Sequence, residues 1–224
     1  MTALPHSLTP GRLDKAMLAR VASGGARFTI TQAQRGAMGA SVRAVRELAT
    51  QYEPVFGINS GFGSLGPTRV RDDHLSQMQR NLVLSHCVGT GQPLPAPVVR
   101  LMLLLKAASL AHGLSGVRDE LVDTLLALLA ADILPVVPEK GSGSVSGDMA
   151  PLAHMASLLI GVGEAQIDGK RVPAGQALVQ AGLAPMELAP KEGLALISGT
   201  QASTALAIHA LQRLERIFDA AVAI

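Results

Sequence analysis

Apolar positions along this 224-residue chain recur mostly at helical spacing, and glycine and proline mark the breaks between runs. The first 40 residues look irregular: Arg27-Phe28-Thr29-Ile30-Thr31 reads as a short strand, and Gly24-Gly25 as a break. Helical spacing begins after Gly39, where Val42, Val45, Leu48 and Ala49 share a face, and it stops near Pro54. The glycine-rich stretch Asn59–Gly66 predicts a loop, packed on the core by Phe56 and Phe62. From about His74 a helix carries Leu75, Met78, Leu82 and Cys87, with Gly89 and Gly91 as its stop. Two more helices are predicted over Pro97–Ala111 and Val117–Ala131, the second ending at the Pro135 to Pro138 break. Ala150–Leu159 is an apolar helix with Pro151 in its first turn, where a missing N–H has no partner to lose. Asp168-Gly169, between Gln166-Ile167 and Lys170-Arg171-Val172, signals a hairpin. A last helix from about Gln201 to Ala223 carries Leu206, Leu211, Leu214, Ile217 and Phe218, apolar residues that need a cover.

Composition sharpens this into a mainly helical class. Residues are 48% hydrophobic but only 2% aromatic, with Ala and Leu abundant, which favours closely packed helices in one large core. The net charge of +2 comes from scattered basic residues, too few for a nucleic-acid partner. The single cysteine, Cys87, provides neither a disulfide framework nor a metal cluster and suits a reducing cytoplasm. Met1 to His6 lacks the charged start and apolar run of a secretory signal. Lys106 and His112 interrupt the apolar run at Leu101–Leu105, so no membrane crossing is expected.

The richest chemistry lies in the loop from Pro138 to the start of the Ala150 helix, which reads Pro-Glu-Lys-Gly-Ser-Gly-Ser-Val-Ser-Gly-Asp. Its centre, Val145-Ser146-Gly147, has the residue types that can cyclise. The Gly147 nitrogen attacks the Val145 carbonyl, and water loss from Ser146 leaves an exocyclic methylidene, an electrophile built from peptide alone. Only a residue without a Cβ tolerates the torsions this needs. The same composition also describes a plain helix-capping connection, or an anion cradle of backbone N–H groups, although the Gly-Lys-Ser/Thr ending of a P-loop is absent.

With Asp148-Met149-Ala150-Pro151-Leu152-Ala153, this loop resembles the shared motif of the aromatic amino acid ammonia-lyases. Four further stretches resemble the family in its own order: Phe56 to Gly63, Gln79 to His86, Ser115 to Arg118 and Lys191 to Gln201. The Ser85-His86 pair is similar to the histidine ammonia-lyase branch. The resemblance implies a helical amino-terminal domain of the aspartase/fumarase-like fold with a few short strands. It implies a cofactor-bearing domain over residues 1–200 and a truncated start of a central helical bundle over 201–224, since the family runs to roughly twice this length. It further implies a 4-methylidene-imidazole-5-one made by Val145, Ser146 and Gly147, with no metal and no nucleotide, and conversion of L-histidine to urocanate and ammonia by a homotetramer. Ser146 would supply the methylidene carbon. Asp148 would hold the turn by accepting N–H groups at the helix start, and Asn59, Ser60 and Gly61 would support the site. His86 would orient an imidazole substrate or shuttle a proton, although a histidine there also serves as a core residue bonded to backbone. Cys87, about 100° further round the helix, reads as a small buried hydrophobe and not as a partner of His86.

Departures from the family pattern point the other way. Phe56 stands at the family's tyrosine and has no proton to transfer. Ser198 stands at the family's asparagine, whose amide donates to the cofactor; losing one such donor costs on the order of 10² to 10³ in rate. Val145 replaces alanine and stiffens the ring-closing turn. The alternative expectation is therefore a catalytically inactive short paralogue or fragment that keeps the fold as a binding or assembly module.

Overall fold

The computed structural model of the chain describes residues 5–141 and 147–223. Strand β1 (His6–Ser7) pairs in parallel with β2 (Phe28–Thr29), and helix α1 (Lys15–Ser23) lies between them. Helix α2 (Gln32–Ala49) follows at once. The expected irregular first 40 residues are thus corrected, and α2 starts well before Gly39. Its buried residues are Met38, Val45 and Ala49, so the apolar period is thin, and polar caps carry the signal instead. Asp14 accepts from the Met17 N–H at 2.7 Å, and Thr31 with Gln34 forms a reciprocal capping box.

After two short 3₁₀ turns come α3 (Leu75–His86), β3 (Thr90–Pro93), α4 (Ala96–Leu110), α5 (Asp119–Ala130), β4 (Leu134–Pro135) and β5 (Pro138–Lys140). Helix α3 ends at His86, ahead of the glycines expected to stop it, and Gly91 lies within β3, which pairs antiparallel with β5. Then follow α6 (Met149–Leu159), β6 (Glu164–Ile167), β7 (Lys170–Pro173), α7 (Ala174–Gln180), α8 (Glu192–Ile197) and α9 (Gln201–Ala223). The β6–β7 hairpin turns on Asp168 and Gly169, both at positive φ (50° and 77°), as a two-residue turn of the primed type requires. Strand β4 adds to it antiparallel.

Helix α4 is the centre of the core. Val98, Leu101, Met102, Leu103, Leu104 and Ala107 are fully enclosed, as the largely apolar sequence of this helix requires. Helices α1, α5 and α9 pack on it, while α3, α6 and α8 form a second group in mutual contact. Leu206, Leu211, Leu214, Ile217, Phe218 and Val222 of α9 are exposed, and Ala202 and Ala205 are its buried contacts. Among the described residues no helix is long and apolar enough to cross a membrane.

Buried polar bonds tie together the stretches that carried the resemblance. The carboxylate of Glu192, 0% exposed, accepts from the Arg118 backbone N–H (2.9 Å), Nε (3.0 Å) and Nη2 (2.8 Å), and from the Ala189 N–H (2.8 Å). Lys191 Nζ donates to the Ser115 carbonyl at 2.8 Å. Gln79 joins α3 to both neighbours: its Nε2 donates to the Gly57 carbonyl at 3.1 Å, and its Oε1 accepts from the Leu194 N–H at 3.1 Å. The Glu192 carboxylate holds the Arg118 guanidinium above its usual range. Arg118→Met leaves that carboxylate buried without its cation. Urea unfolding should then show a loss of about 2 to 3 kcal/mol, less than for a fully buried pair because the guanidinium reaches solvent and the two N–H groups still serve the carboxylate.

Candidate active site

The end of the cyclisable loop is held by a backbone contact. Gly147 forms a parallel bridge with Gly199, and the Asp148 N–H donates to the Gly199 carbonyl at 2.8 Å. Both glycines have positive φ, 103° and 125°. A Cβ on Gly147 would lie 2.2 Å from the Gly199 oxygen, so this approach excludes every side chain. Val145 and Ser146, expected to complete the ring, lie outside the described residues. The bare Cα of Gly147 fits the residue type that ring closure requires.

Asp148 caps a different helix from the one expected. It occupies the N-cap of α6 but makes no side-chain cap there, because its backbone (φ −90°, ψ 54°) departs from the extended geometry such a cap uses. Its Oδ2 accepts instead from the Ser203 N–H (2.7 Å) and Oγ (2.8 Å), in the first turn of α9. A carboxylate there satisfies a free N–H and complements the positive end of the helix.

Behind the bridge sits a residue that the sequence marked only as an interruption. Lys106, 1% exposed on α4, donates from Nζ to the carbonyls of Ser198 (2.6 Å) and Ala195 (3.2 Å), at the end of α8. Burial pushes its ammonium down to about 7, opposed by the charge of Asp148. A cation set between the apolar run Leu101–Leu105 and Ala107-Ala108 was the signal available for it. Ser198 is half-buried, and its N–H donates to the Leu194 carbonyl at 3.0 Å.

His86 belongs to a separate wall. A cleft of about 550 Å³ is lined by Phe62, Leu65, Met78, Asn81, Ser85 and His86, among others. Phe56, Gly147, Asp148 and Ser198 do not line it. His86 Nδ1 bonds the Leu82 carbonyl at 2.8 Å; a carbonyl only accepts, so the proton sits on Nδ1 and Nε2 keeps a lone pair when the ring is neutral. His86 is thus both bonded to backbone and open to the cleft. Cys87 is half-buried, its Sγ donating to the Val83 carbonyl at 3.3 Å, and burial pushes its thiol up. On α6, His154 accepts from the Gly89 N–H through Nε2 at 3.0 Å, and burial holds its pKa low, so it keeps the neutral ring that this bond needs.

Phe56 does not pack the loop on the core. It is 60% exposed and meets Phe62 edge-on at 5.6 Å, whereas Phe62 itself rests against the core. Asn59 is fully buried. Its Oδ1 accepts from the Val55 N–H (2.6 Å), and its Nδ2 serves the carbonyls of Gln51 (3.0 Å), Leu48 (3.2 Å) and Glu53 (3.2 Å), closing the end of α2. Ser60, also buried, bridges to Arg69, and a Cβ on Gly61 would meet Leu65 at 2.7 Å. These three residues therefore shape the loop.

A family model described as aromatic amino acid lyase matches residues 13–224. A histidine ammonia-lyase of Paracidovorax citrulli (strain AAC00-1) is 52% identical over 98% of this chain and 43% of its own length. Among solved structures, histidine ammonia-lyase from Trypanosoma cruzi is 33% identical with a TM-score of 0.86, over 96% of this chain and 41% of that one. Ergothionase from Treponema denticola, an ergothioneine-degrading enzyme, superposes with a TM-score of 0.90 at 27% identity, over 96% of this chain and 43% of that one. The chain thus spans less than half the length of these relatives.

Lys106 has a thermodynamic signature. Its folded pKa of about 7 lies below the ordinary 10.5, so in that window the unfolded chain holds the extra proton and stability rises with pH. Between about pH 7 and about pH 8.5 this group should add about 2 kcal/mol, and Lys106→Met should remove that slope in urea titrations.

Proposed function

The chain belongs to the aromatic amino acid lyase family, and from that premise we propose that it is the prosthetic-group-bearing part of a histidine ammonia-lyase-type enzyme. The reaction is non-oxidative loss of ammonia from L-histidine to give urocanate. The observation that carries this reading is the Gly147–Gly199 contact: a glycine that no other residue could replace ends the loop where a ring-closing glycine is needed.

Val145, Ser146 and Gly147 would form the methylidene-imidazolone, which supplies an electrophile for the amino-acid substrate. Around it the chain's own residues divide the work. Asp148 anchors the loop's end to the first turn of α9, and Ser198 and Gly199 form the rail against which that end lies. On the cleft wall, Leu82 fixes the His86 tautomer, so Nε2 is the atom that accepts a proton or meets the imidazole of a substrate. Phe62, Leu65 and Met78 supply apolar surface for a flat ring. Asn59, Ser60 and Gly61 keep the neighbouring loop folded beneath that wall. The substrate is a small histidine-like amino acid, the assembly a homotetramer, and the compartment one that keeps Cys87 reduced, the cytoplasm.

One observation favours a second reading, that of a non-catalytic module with the same fold. Phe56, at the family's tyrosine position, is well exposed with no group that can move a proton. Intact-mass measurement separates the two. Ring formation removes two water molecules and creates a near-ultraviolet absorbance, and Ser146→Ala should abolish that absorbance. Recovery of the unmodified mass in the unaltered chain removes the lyase reading.

A further inference from the structure

We propose that Lys106 is a positioning residue for the ring-bearing loop, acting through the carbonyls it holds at the end of α8. None of the roles assigned to the site residues falls to it. It is nonetheless 1% exposed, placed in the helix at the centre of the core, and its Nζ meets Ser198 O at 2.6 Å and Ala195 O at 3.2 Å. An amino group shut off from bulk solvent is retained only where its hydrogen bonds are made. Among the described residues no carboxylate pairs with it directly, and Asp148 is the negative charge that acts on it through space.

The chain of contacts is short. Lys106 fixes the Ser198 carbonyl, and the next residue, Gly199, forms the bridge with Gly147 and accepts from the Asp148 N–H at 2.8 Å. Asp148 in turn holds the Ser203 N–H at 2.7 Å. A displacement of the 198–199 segment by a few tenths of an ångström would disturb the Gly147 contact, which has no slack, since even a methyl group would lie 2.2 Å from the Gly199 oxygen. From behind, Lys106 therefore sets the height of the rail on which the loop's end rests. A positive charge facing the last carbonyls of α8 also matches the helix's negative end.

The consequence for ring closure rests on the reading of Val145, Ser146 and Gly147 as the ring-forming residues; the positioning of residues 147 and 148 does not. The test uses the full chain and three variants, Lys106→Met, Lys106→Arg and Leu104→Ala, the last a core truncation on the same helix that touches none of these bonds. Two readouts are taken on each: hydrogen-exchange protection of the Asp148 and Ser203 amides, and intact mass with near-ultraviolet absorbance. In Lys106→Met, protection at both amides should fall by about tenfold or more, as expected for losing the two buried hydrogen bonds that Nζ donates. Ring absorbance should fall with it. Lys106→Arg, which keeps a buried cation and its donors, should restore both, and Leu104→Ala should lose global stability while keeping the ring. Unchanged protection at Asp148 in Lys106→Met overturns the assignment, as does an equal local loss in Leu104→Ala. If the unaltered chain carries no ring, the proposed function fails, and the two amides alone decide the role of Lys106.

Discussion

Gly147 can approach Gly199 this closely only because it carries no side chain, and the site is arranged around that approach; at Gly199 the backbone at φ 125° and the Gln201 side chain leave no place for a Cβ either. It joins the start of α6 to the start of α9 across a long stretch of sequence. Among the described residues, directed bonds hold both sides of the contact: Ser198 by Lys106, Asp148 by the Gly199 carbonyl and by Ser203. Apolar packing alone is non-directional and would leave such a contact free to slide. Directed bonds to buried groups fix it in one register.

The same logic explains why so many polar side chains lie deep in a chain this apolar. Asn59, Gln79, Lys106 and Glu192 are all buried, and each binds backbone groups at the end of a helix or loop. Asn59 closes the end of α2, Gln79 spans from the Gly57 loop to α8, and Glu192 gathers the N–H groups of Arg118 and Ala189. A backbone group buried without a partner costs as much as a lost hydrogen bond, so loops can enter the interior only with such escorts. The stretches that resembled the lyase family are, for the most part, these escorts and the loops they serve.

That distinction also separates what was legible in the sequence from what was not. Helices α4, α6 and α9 and the Asp168-Gly169 hairpin were legible because each announces itself locally, by apolar period, a first-turn proline or a two-residue turn. Helix α1 and the first turns of α2 were missed because their signals are the polar caps at Asp14 and Thr31 rather than apolar spacing. The site residues Gly147 and Asp148 were legible through the family motif, but not their partners: Gly199 and Ser203 lie some fifty residues further on, and no local rule connects them. Lys106 read as a flaw in an apolar run because its acceptors are carbonyls, which leave no trace in a sequence. Phe56 was expected to be buried by its type, yet the turn that carries it exposes the ring and leaves Phe62 to fill the core.

The bond from Asp148 to the first turn of α9 has a mechanical side. Helix α9 runs from Gln201 to Ala223, about 35 Å at the usual rise, and is stiff over that length. Lys15 pairs with Glu215 on its outer part, which gives the rod a fulcrum on α1. The helix is thus tied to the rest of the chain at its first turn by the Asp148 carboxylate and along its length by α4 and α1, while its Phe218 and Val222 end stands clear.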